Sequence, residues 1–271
     1  MNRPLVMGIV NITPDSFSDG GRHVGVEAAV AHARRLIGQG ADILDIGGES
    51  TRPGAAPVDE AEEIARVVPV ISAIRAQSDI RISIDTMKPA VARAAIAAGA
   101  SIWNDVTALS YADEAPGVAA ELDCEVVLMH MRGTPLTMLS QARYDDVTAE
   151  VTAFLGERAE AAMAAGVARE KIWLDPGLGF AKTAEHSLTL LRNLDRIVAL
   201  GFPVLLGASR KAYLKAVDPS ALSADDRLGG SIATALIGAR AGVAAVRVHD
   251  VRETAQALAV WAAIGQAGGH D

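Results

Sequence analysis

Short apolar runs recur along the chain, and each one ends abruptly at a polar or charged residue. In residues 41–53, for example, an apolar run carries Asp45 near its end, and two glycines then break it. A polar loop follows each run, and then a segment with the apolar spacing of an amphipathic helix. The other strand candidates are residues 6–10, 80–85, 101–105, 125–130, 171–175, 203–209 and 244–250. The pattern therefore predicts eight strands that alternate with helices.

The strand candidates are nearly continuous apolar runs, as in residues 126–129 and 204–206. Such runs are typical of parallel strands that are covered on both faces. Eight strand–helix pairs favour an α/β fold, a single (β/α)8 TIM barrel, which typically takes about 250 residues. A doubly wound open sheet is the alternative. Because no linker or low-complexity segment interrupts residues 1–271, we predict one domain with its active site at the C-terminal ends of the strands.

Several signals mark where the helices begin and end. Asp59 is a candidate N-cap, and Glu62 follows it at the spacing of a capping box. Pro89 stands at an early helical position, which suits proline. Glycines at 40, 99, 166, 201, 242 and 265 suit the left-handed residue that commonly ends a helix. The helix candidates are residues 27–39, 59–77, 88–98, 116–122, 145–165, 185–200, 226–241 and 252–264.

Composition narrows the class of protein. The 25 basic and 33 acidic residues give a net charge of −8, which argues against general binding to nucleic acid or to anionic membranes. An anionic substrate remains compatible if basic groups are focused locally. Cys124 is the only cysteine, so neither a disulfide framework nor a thiolate zinc cluster is expected. Without a signal-like segment or a run of about 18 apolar residues, we expect a soluble cytoplasmic protein.

Three polar side chains stand at the ends of different strand candidates, so a barrel would bring them together. They are Asp85, Asn104 and Asp175. Carboxylates and an amide that converge in an apolar pocket suit a heterocycle with N–H donors and a carbonyl, such as a pterin or a purine. A buried ion-pair network is the structural alternative, because it also places aspartate at strand ends.

Basic residues close the last two strand candidates. Arg247 and His249 are two residues apart and therefore share one face of a strand. Barrels often bind phosphate at the loops after strands seven and eight, where Lys211 also lies. Arginine can bind phosphate in a bidentate manner. The sequence thus favours a local anion site here over ordinary surface ion pairs.

Two polar loops and one aromatic residue complete the set of candidates. Residues 11–21 form a long loop, either a connector or a mobile lid, and Asn11 offers an amide oxygen that suits Mg²⁺. In the second loop, residues 47–53, Arg52 has either an anion or Glu49 as its partner. Phe180 lies beside two glycines and is either a core residue or the wall of a ligand pocket. Those glycines lack Rossmann spacing, so a dinucleotide site is rejected.

These residues belong to motifs that span nearly the whole chain in order. The motifs are residues 7–21, 45–53, 83–86, 104–106, 129–131, 175–180, 209–211 and 247–251. Together they resemble the dihydropteroate synthase family of pterin-binding barrels. The resemblance implies that 6-hydroxymethyl-7,8-dihydropterin diphosphate and p-aminobenzoate condense to 7,8-dihydropteroate and pyrophosphate, with Mg²⁺ as cofactor. It also implies a homodimer.

The resemblance further implies a role for each matching residue. The pterin diphosphate would be held by Thr51, Asp85, Asn104, Asp175, Lys211, Arg247 and His249. The p-aminobenzoate site would be bordered by Thr51, Arg52, Pro53, Phe180, Ser209 and Lys211. Asn11 would hold the metal, and the chemistry would depend on Asp175, Lys211, Arg247 and His249.

Two positions depart from the family pattern, and two other functions stay open. Ala212 stands where many members have serine, which removes a hydroxyl near the p-aminobenzoate carboxylate, and Gly230 stands where alanine is common. A non-catalytic pterin-binding paralogue would be expected to show eroded loops or to lack Lys211. A methyltetrahydrofolate:corrinoid methyltransferase would not need Asn11, the Ser-Arg-Lys motif at residues 209–211 or an anion site for pyrophosphate.

Overall fold

The computed structural model describes residues 3–12 and 21–267, and it contains eight strands in the predicted places. Each is a short apolar segment that is covered by helices on its outer face. The strands are β1 Leu5–Asn11, β2 Ile43–Gly47, β3 Arg81–Asp85, β4 Ile102–Asp105, β5 Glu125–Met129, β6 Ile172–Asp175, β7 Leu205–Gly207 and β8 Ala245–Val248.

The strands pair in parallel and close on themselves. Seven ladders give the order β6-β5-β4-β3-β2-β1-β8-β7. A parallel bridge between Leu174 of β6 and Val204, just before β7, joins the two outer strands of that order. The (β/α)8 TIM barrel is therefore confirmed, and the doubly wound open sheet is wrong.

Helices connect the strands. They are α1 Gly21–Gly38, α2 Glu60–Arg75, α3 Pro89–Ala97, α4 Ala115–Leu122, α5 Val147–Ala164, α6 Ala184–Arg192, α7 Leu194–Val198, α8 Tyr213–Val217, α9 Leu228–Ala241 and α10 Val251–Ala267. Within the described part of the chain, no helix is both long and apolar enough to cross a membrane.

Most of the predicted helix boundaries agree with the structure. Five of the predicted glycines have positive φ angles between 76° and 114° and lie within three residues of a helix end. Asp59 caps α2 by accepting from the backbone N–H of Ala61. Glu62, however, binds Arg66 one turn further on, so the capping-box prediction is wrong in that half. Gly265 lies inside α10 rather than at its end.

The region between β6 and β8 differs most from the predicted helices. The single helix predicted for residues 185–200 is interrupted at Asn193, whose side-chain amide donates to Thr148 and to the carbonyl of Thr189. The short helix α8 was missed. At Gly230, an added Cβ would approach the Leu214 methyl group at 2.6 Å, so the departure to glycine accommodates Leu214.

Alternation along the strands sorts the barrel interior into layers. Side chains two residues apart point to the same side of a strand. The middle of the barrel is a separate apolar cluster made of Met7, Ile43, Ile102, Val127, Trp173, Leu205 and Ala245. Two residues further along β2, β4, β6 and β8 stand Asp45, Asn104, Asp175 and Arg247. An apolar plug therefore carries a polar layer above it, at the C-terminal ends of the strands.

Candidate active site

Arg247 lies at the centre of the polar layer. Its Nε donates to Asp45 Oδ2 at 2.6 Å, and its Nη2 donates to Asp85 Oδ2 at 2.8 Å. Burial disfavours the charged guanidinium, but the two carboxylates outweigh this and raise the pKa of Arg247. Arg247 is therefore a fixed cation inside the barrel mouth, not a surface ion pair.

Asp85 has one carboxylate oxygen that is not hydrogen-bonded. Its Oδ2 binds Arg247, whereas Oδ1 is buried without a hydrogen-bond partner among the described residues. Burial raises the pKa of Asp85 to about 7, and the charge of Arg247 opposes that shift. Asp85 therefore belongs to a buried ion pair and still presents an unused oxygen, while its role in a ligand pocket stays a prediction. A buried polar atom without a partner is costly unless a ligand or water satisfies it.

Asp175 is positioned by a tight turn that follows β6. Its Oδ1 accepts from the backbone N–H of Gly177 at 2.7 Å. Gly177 has a φ of +64°, and an added Cβ would lie only 2.1 Å from the carbonyl oxygen of His130, so this position requires glycine. Burial raises the pKa of Asp175, opposed by that N–H and by the charge of Lys211.

Lys211 reaches the same rim from the segment after β7. Its Nζ lies 4.3 Å from the centroid of the Phe180 ring, which makes Phe180 a half-buried wall of the site. Burial and the charge of Arg247 lower the pKa of Lys211 to about 8. The preceding Arg210 turns away in a left-handed conformation and binds Asp250 at 2.6 and 2.9 Å.

His249 and Ser209 form a hydrogen-bonded pair near Arg247 and Lys211. The Ser209 hydroxyl lies 3.0 Å from His249 Nδ1, and the His249 backbone N–H donates to the same hydroxyl. Burial and the charges of Arg247 and Arg210 lower the pKa of His249 to about 4, so the ring is neutral near pH 7. His249 therefore offers N–H and lone-pair contacts rather than a second positive charge.

The second loop at the mouth is more exposed than the strand ends. Thr51 is half-buried, while Arg52 and Pro53 are exposed. The N–H of Gly54 donates to the carbonyl of Pro135, which joins this loop to the segment after β5. The charge of Arg52 is among those that lower the pKa of Lys211, so it acts on the same rim.

The first loop and its metal candidate are described only in part. Asn11 is exposed at the end of β1 and pairs with Gly47, which in turn pairs with Asp85 in the barrel ladder. Residues 13–20 of this predicted loop, whether connector or lid, lie outside the described residues, and Gly21 begins α1. Within residues 3–12 and 21–267, no cluster of three or more His, Cys, Asp or Glu side chains could hold a metal ion.

Asn104 and a carboxylate that the sequence left without a role complete the layer. Asp45 is fully buried, and its oxygens lie 3.4 and 3.5 Å from the Asn104 amide nitrogen. Asp45 thus links Arg247 to Asn104. The available signal was parity, because Asp45 lies two residues before the strand end and must point inward like Ile43. Ser83, opposite Asp45 in the ladder, is also buried and lacks a partner in the described structure.

A buried lysine behind the site was also missed. Lys182 Nζ lies 2.8 Å from His130 Nδ1 and donates to the carbonyls of His130 and Phe180. Burial lowers the pKa of Lys182 to about 7 and that of His130 to about 3. These bonds hold the turn that carries Phe180 against the end of β5.

The arrangement can bind a planar polar ring together with an anion. Unused carboxylate oxygen lies deep in the mouth, whereas the cations Lys211 and Arg247 lie beside it. A ring with N–H donors would satisfy the carboxylates, and a negatively charged substituent would meet the cations. A low local dielectric strengthens both interactions.

Comparisons with known proteins agree with this geometry. The family model described as pterin binding enzyme matches residues 7–249. The dihydropteroate synthase of Escherichia coli strain K12 is 47% identical over 266 residues, which cover 96% of the chain and 91% of that protein. The Xanthomonas albilineans dihydropteroate synthase solved with 4-aminobenzoic acid is 50% identical with a TM-score of 0.91, covering 97% of the chain and 94% of that structure. The structure of the Xanthomonas albilineans enzyme in complex with 7,8-dihydropteroate is 47% identical in sequence and has a TM-score of 0.88. The match covers 97% of the chain and 94% of that structure.

Proposed function

The chain belongs to the family of pterin-binding enzymes, and from this premise we propose that it is a dihydropteroate synthase. It transfers the dihydropterin-6-ylmethyl group from its diphosphate to the amine of p-aminobenzoate, with pyrophosphate as the leaving group. The products are 7,8-dihydropteroate and pyrophosphate. The observation that carries the proposal is the unused Asp85 oxygen held beside Arg247, in a chain 47% identical to such synthases along nearly its whole length.

The pterin ring is held by the carboxylates of the polar layer. Asp85 Oδ1 and the remaining oxygen of Asp175 accept ring N–H groups, and Asn104 completes the edge. A hydrogen bond to a charged group contributes roughly 1.5–3 kcal/mol, so two such bonds fix the ring and stabilise both carboxylates in the charged form. The Gly207 backbone leaves room for this ring, since a Cβ there would stand 3.5 Å from Asp175 Oδ2.

The cations of the rim bind the departing group. When the bond between the exocyclic methylene carbon and the diphosphate oxygen breaks, the electron pair leaves with pyrophosphate. Lys211 and Arg247 stabilise that growing negative charge, with neutral His249 donating a hydrogen bond. The electron-rich ring, held against Asp175, delocalises the positive charge left on the methylene carbon. No covalent bond to the protein is needed.

The residues present fit a magnesium ion bound mainly through its substrate. Mg²⁺ typically keeps several waters and takes few protein ligands together with phosphate oxygens. Asn11, with its exposed amide at the barrel mouth, is suited to supply one such ligand. When bound, the metal neutralises charge on the diphosphate.

The amine of p-aminobenzoate then attacks the methylene carbon and loses a proton to solvent. Thr51, Arg52, Pro53, Phe180 and Ser209 border the attacking molecule in this proposal. Closure of the second loop over the site excludes competing water, so that the amine reacts in its place. Phe180 supplies an aromatic wall, and Lys211, which also stabilises the leaving group, attracts the p-aminobenzoate carboxylate.

The assembly and the compartment are also proposals. We propose a homodimer in the cytoplasm. The faces of α9 and α10 support the dimer, since they expose the apolar side chains of Ile237, Val260 and Ile264. Sedimentation velocity of the purified protein tests it, with a dimer expected at micromolar concentration and a monomer counting against it.

The assay for the proposed function mixes both substrates with the protein. We expect dihydropteroate and pyrophosphate to form in equal amounts with Mg²⁺, and much less of either when EDTA removes it. Product in neither condition would contradict the proposal and would favour a binding paralogue. A cobalamin-dependent methyl transfer from methyltetrahydrofolate, assayed in parallel, would favour the corrinoid methyltransferase instead.

A further inference from the structure

Residues 48–58, which extend the second loop to the start of α2, are attached to the barrel at both ends of the segment. At its start, Arg66 of α2 donates to the carbonyl of Gly48 at 2.7 Å. At its far end, the Val58 N–H donates to the Glu49 carboxylate at 3.3 Å, so the two ends also bind each other. Between them, residues 52–54 are exposed. The loop is thus a short arch on fixed ends, and Thr51 and Arg52 stand on the arch.

Lys88 is the residue on which both ends converge. Its side chain is 5% exposed, and Nζ binds three oxygens from three parts of the chain. One belongs to Glu49 at the start of the arch, and one is the carbonyl of Val58 at its end, 2.6 Å away. The third is Glu63 Oε2 of α2, also at 2.6 Å. The ammonium has three N–H donors, and these contacts use all of them.

The position of Lys88 is itself fixed by the barrel. Lys88 is the residue before Pro89, which begins α3, and its N–H donates to the Thr86 hydroxyl directly after β3. Its tether therefore runs from the end of β3, where Asp85 lies three residues earlier, to the second loop. Burial disfavours the Lys88 cation, but the Glu49 and Glu63 carboxylates outweigh this and raise its pKa.

We propose that Lys88 is a positioning residue that holds the second loop over the barrel mouth by binding Glu49 and Val58. The inference rests on the proposed function, because the arch carries Thr51 and Arg52, which border p-aminobenzoate in that proposal. Lys88 itself contacts neither substrate. Loss of the tether releases the arch with Thr51 and Arg52, and it spares the strand-end residues of the pterin pocket, since the ladder that places Asp85 and Asp175 does not involve it.

Glu49→Gln is the sharpest variant, because it weakens the loop side of the tether and leaves the buried pair between Lys88 and Glu63 intact. Lys88→Met removes the whole tether. We expect both to raise KM for p-aminobenzoate by about fivefold or more, because a misplaced loop loses its positioning of the substrate. KM for the pterin diphosphate should rise by less, because Thr51 is the only one of its expected contacts that stands on the arch.

Lys171→Met is a matched control. Lys171 also binds a carboxylate and a carbonyl, both from Asp123, but it lies just before β6 at the opposite end of the barrel. We expect both KM values of this variant to equal those of the unaltered enzyme. The proposal would be overturned if the tether variants had the same KM for p-aminobenzoate as Lys171→Met. It would also be overturned if both of their KM values rose by the same factor.

Hydrogen exchange separates this inference from the proposed function, because it needs no activity. In Glu49→Gln and Lys88→Met, amides of residues 49–58 should exchange about tenfold faster, as expected when local opening becomes easier. Amides of α3 should be unchanged in Glu49→Gln, which also shows that the fold is intact. Unchanged exchange in residues 49–58 would refute the tether even if the enzyme proves to have another activity.

Discussion

Each end of the barrel interior holds an arginine bound to a carboxylate, but the two ends differ in how far the carboxylate oxygens are hydrogen-bonded. At the N-terminal end, Arg81 Nη2 binds both oxygens of Glu125 at 2.7 Å. Trp173 donates its indole N–H to the same carboxylate at 2.7 Å, and Arg81 lies 5.7 Å from the Trp173 ring centroid. Both carboxylate oxygens are therefore satisfied within the protein.

At the C-terminal end, Arg247 divides itself between Asp45 and Asp85, and one Asp85 oxygen remains without a partner. Burial raises the pKa values of Asp85 and Asp175 there. The comparison teaches that an ion pair inside a barrel does not by itself mark a functional site. What marks the C-terminal end is an unused, desolvated acceptor within the polar layer at the strand ends, beside a fixed cation, where a ligand or water can complete it. The unused oxygen of Glu63 beside Lys88 belongs to helix α2 and not to that layer.

The largest effects should come from the C-terminal end. We expect Asp175→Ala and Lys211→Ala each to lower turnover by at least about tenfold, because each removes a charge that meets the reacting molecule. Circular dichroism and thermal unfolding should show an intact fold. Steady-state kinetics with both substrates measures the loss.

Arg81→Leu is the partner of those variants at the other end. It should lower stability by about 0–1 kcal/mol, the usual worth of a partly exposed ion pair, and leave turnover within about twofold. A large loss of turnover in Arg81→Leu with near-normal turnover in Lys211→Ala would reverse the comparison.

The pH dependence should sharpen the contrast. Asp85, with its pKa raised to about 7, is ionised above that value and protonated below it. Lys211, with its pKa lowered to about 8, is a cation below that value. Because kcat/KM reports ionisations of the free enzyme, its value for the pterin diphosphate should rise as pH increases through about 7 and fall above about 8.

Two variants assign the limbs of that profile. Asp85→Asn should remove the acid limb, and Lys211→Arg should move the alkaline limb out of range, since arginine does not deprotonate in proteins. Ionisation of the diphosphate substrate is common to all profiles and cancels in the comparison. Limbs that stay in place in both variants would show that other groups govern binding.

The smallest effect should come from Ala212. This exposed residue precedes α8 and makes no side-chain cap. Ala212→Ser adds one hydroxyl near the proposed p-aminobenzoate carboxylate, and a typical hydrogen bond contributes about 0.5–1.5 kcal/mol. We expect KM for p-aminobenzoate to fall by roughly two- to tenfold while KM for the pterin diphosphate stays constant. An unchanged KM for p-aminobenzoate would place the carboxylate elsewhere.

Much of the barrel could be predicted from the sequence because its strands are buried on both faces and its helices end at glycines. The predicted cluster of Asp85, Asp175, Lys211 and Arg247 follows from topology alone, since parallel strands deliver their last residues to one rim. Their chemical roles stay predictions. The break at Asn193 and the short helix α8 were missed, because side-chain contacts and loop geometry decide them.

Hydrogen-bond partners were the part that the sequence could not provide. Three residues act through contacts with distant parts of the chain, namely Asp45, Lys88 and Lys182. Asp45, for example, binds Arg247, which lies 202 positions further along the chain. Spacing gives the face of a strand but not the partner across the barrel. The same limit applies to Glu49. The sequence offers it as one possible partner of Arg52, whereas in the structure Glu49 binds Lys88.

The most direct test is to measure by calorimetry how tightly the pterin diphosphate binds, with Mg²⁺ and without p-aminobenzoate. The measurement compares the unaltered enzyme with its Glu125→Gln and Asp85→Asn variants. The unaltered enzyme and Glu125→Gln should bind with affinities within about twofold of each other, because Glu125 is satisfied inside the protein. Asp85→Asn should bind about tenfold or more weakly, the cost of losing a charged acceptor. Equal affinity in Asp85→Asn and the unaltered enzyme would contradict the claim that the unused carboxylate oxygen makes the site.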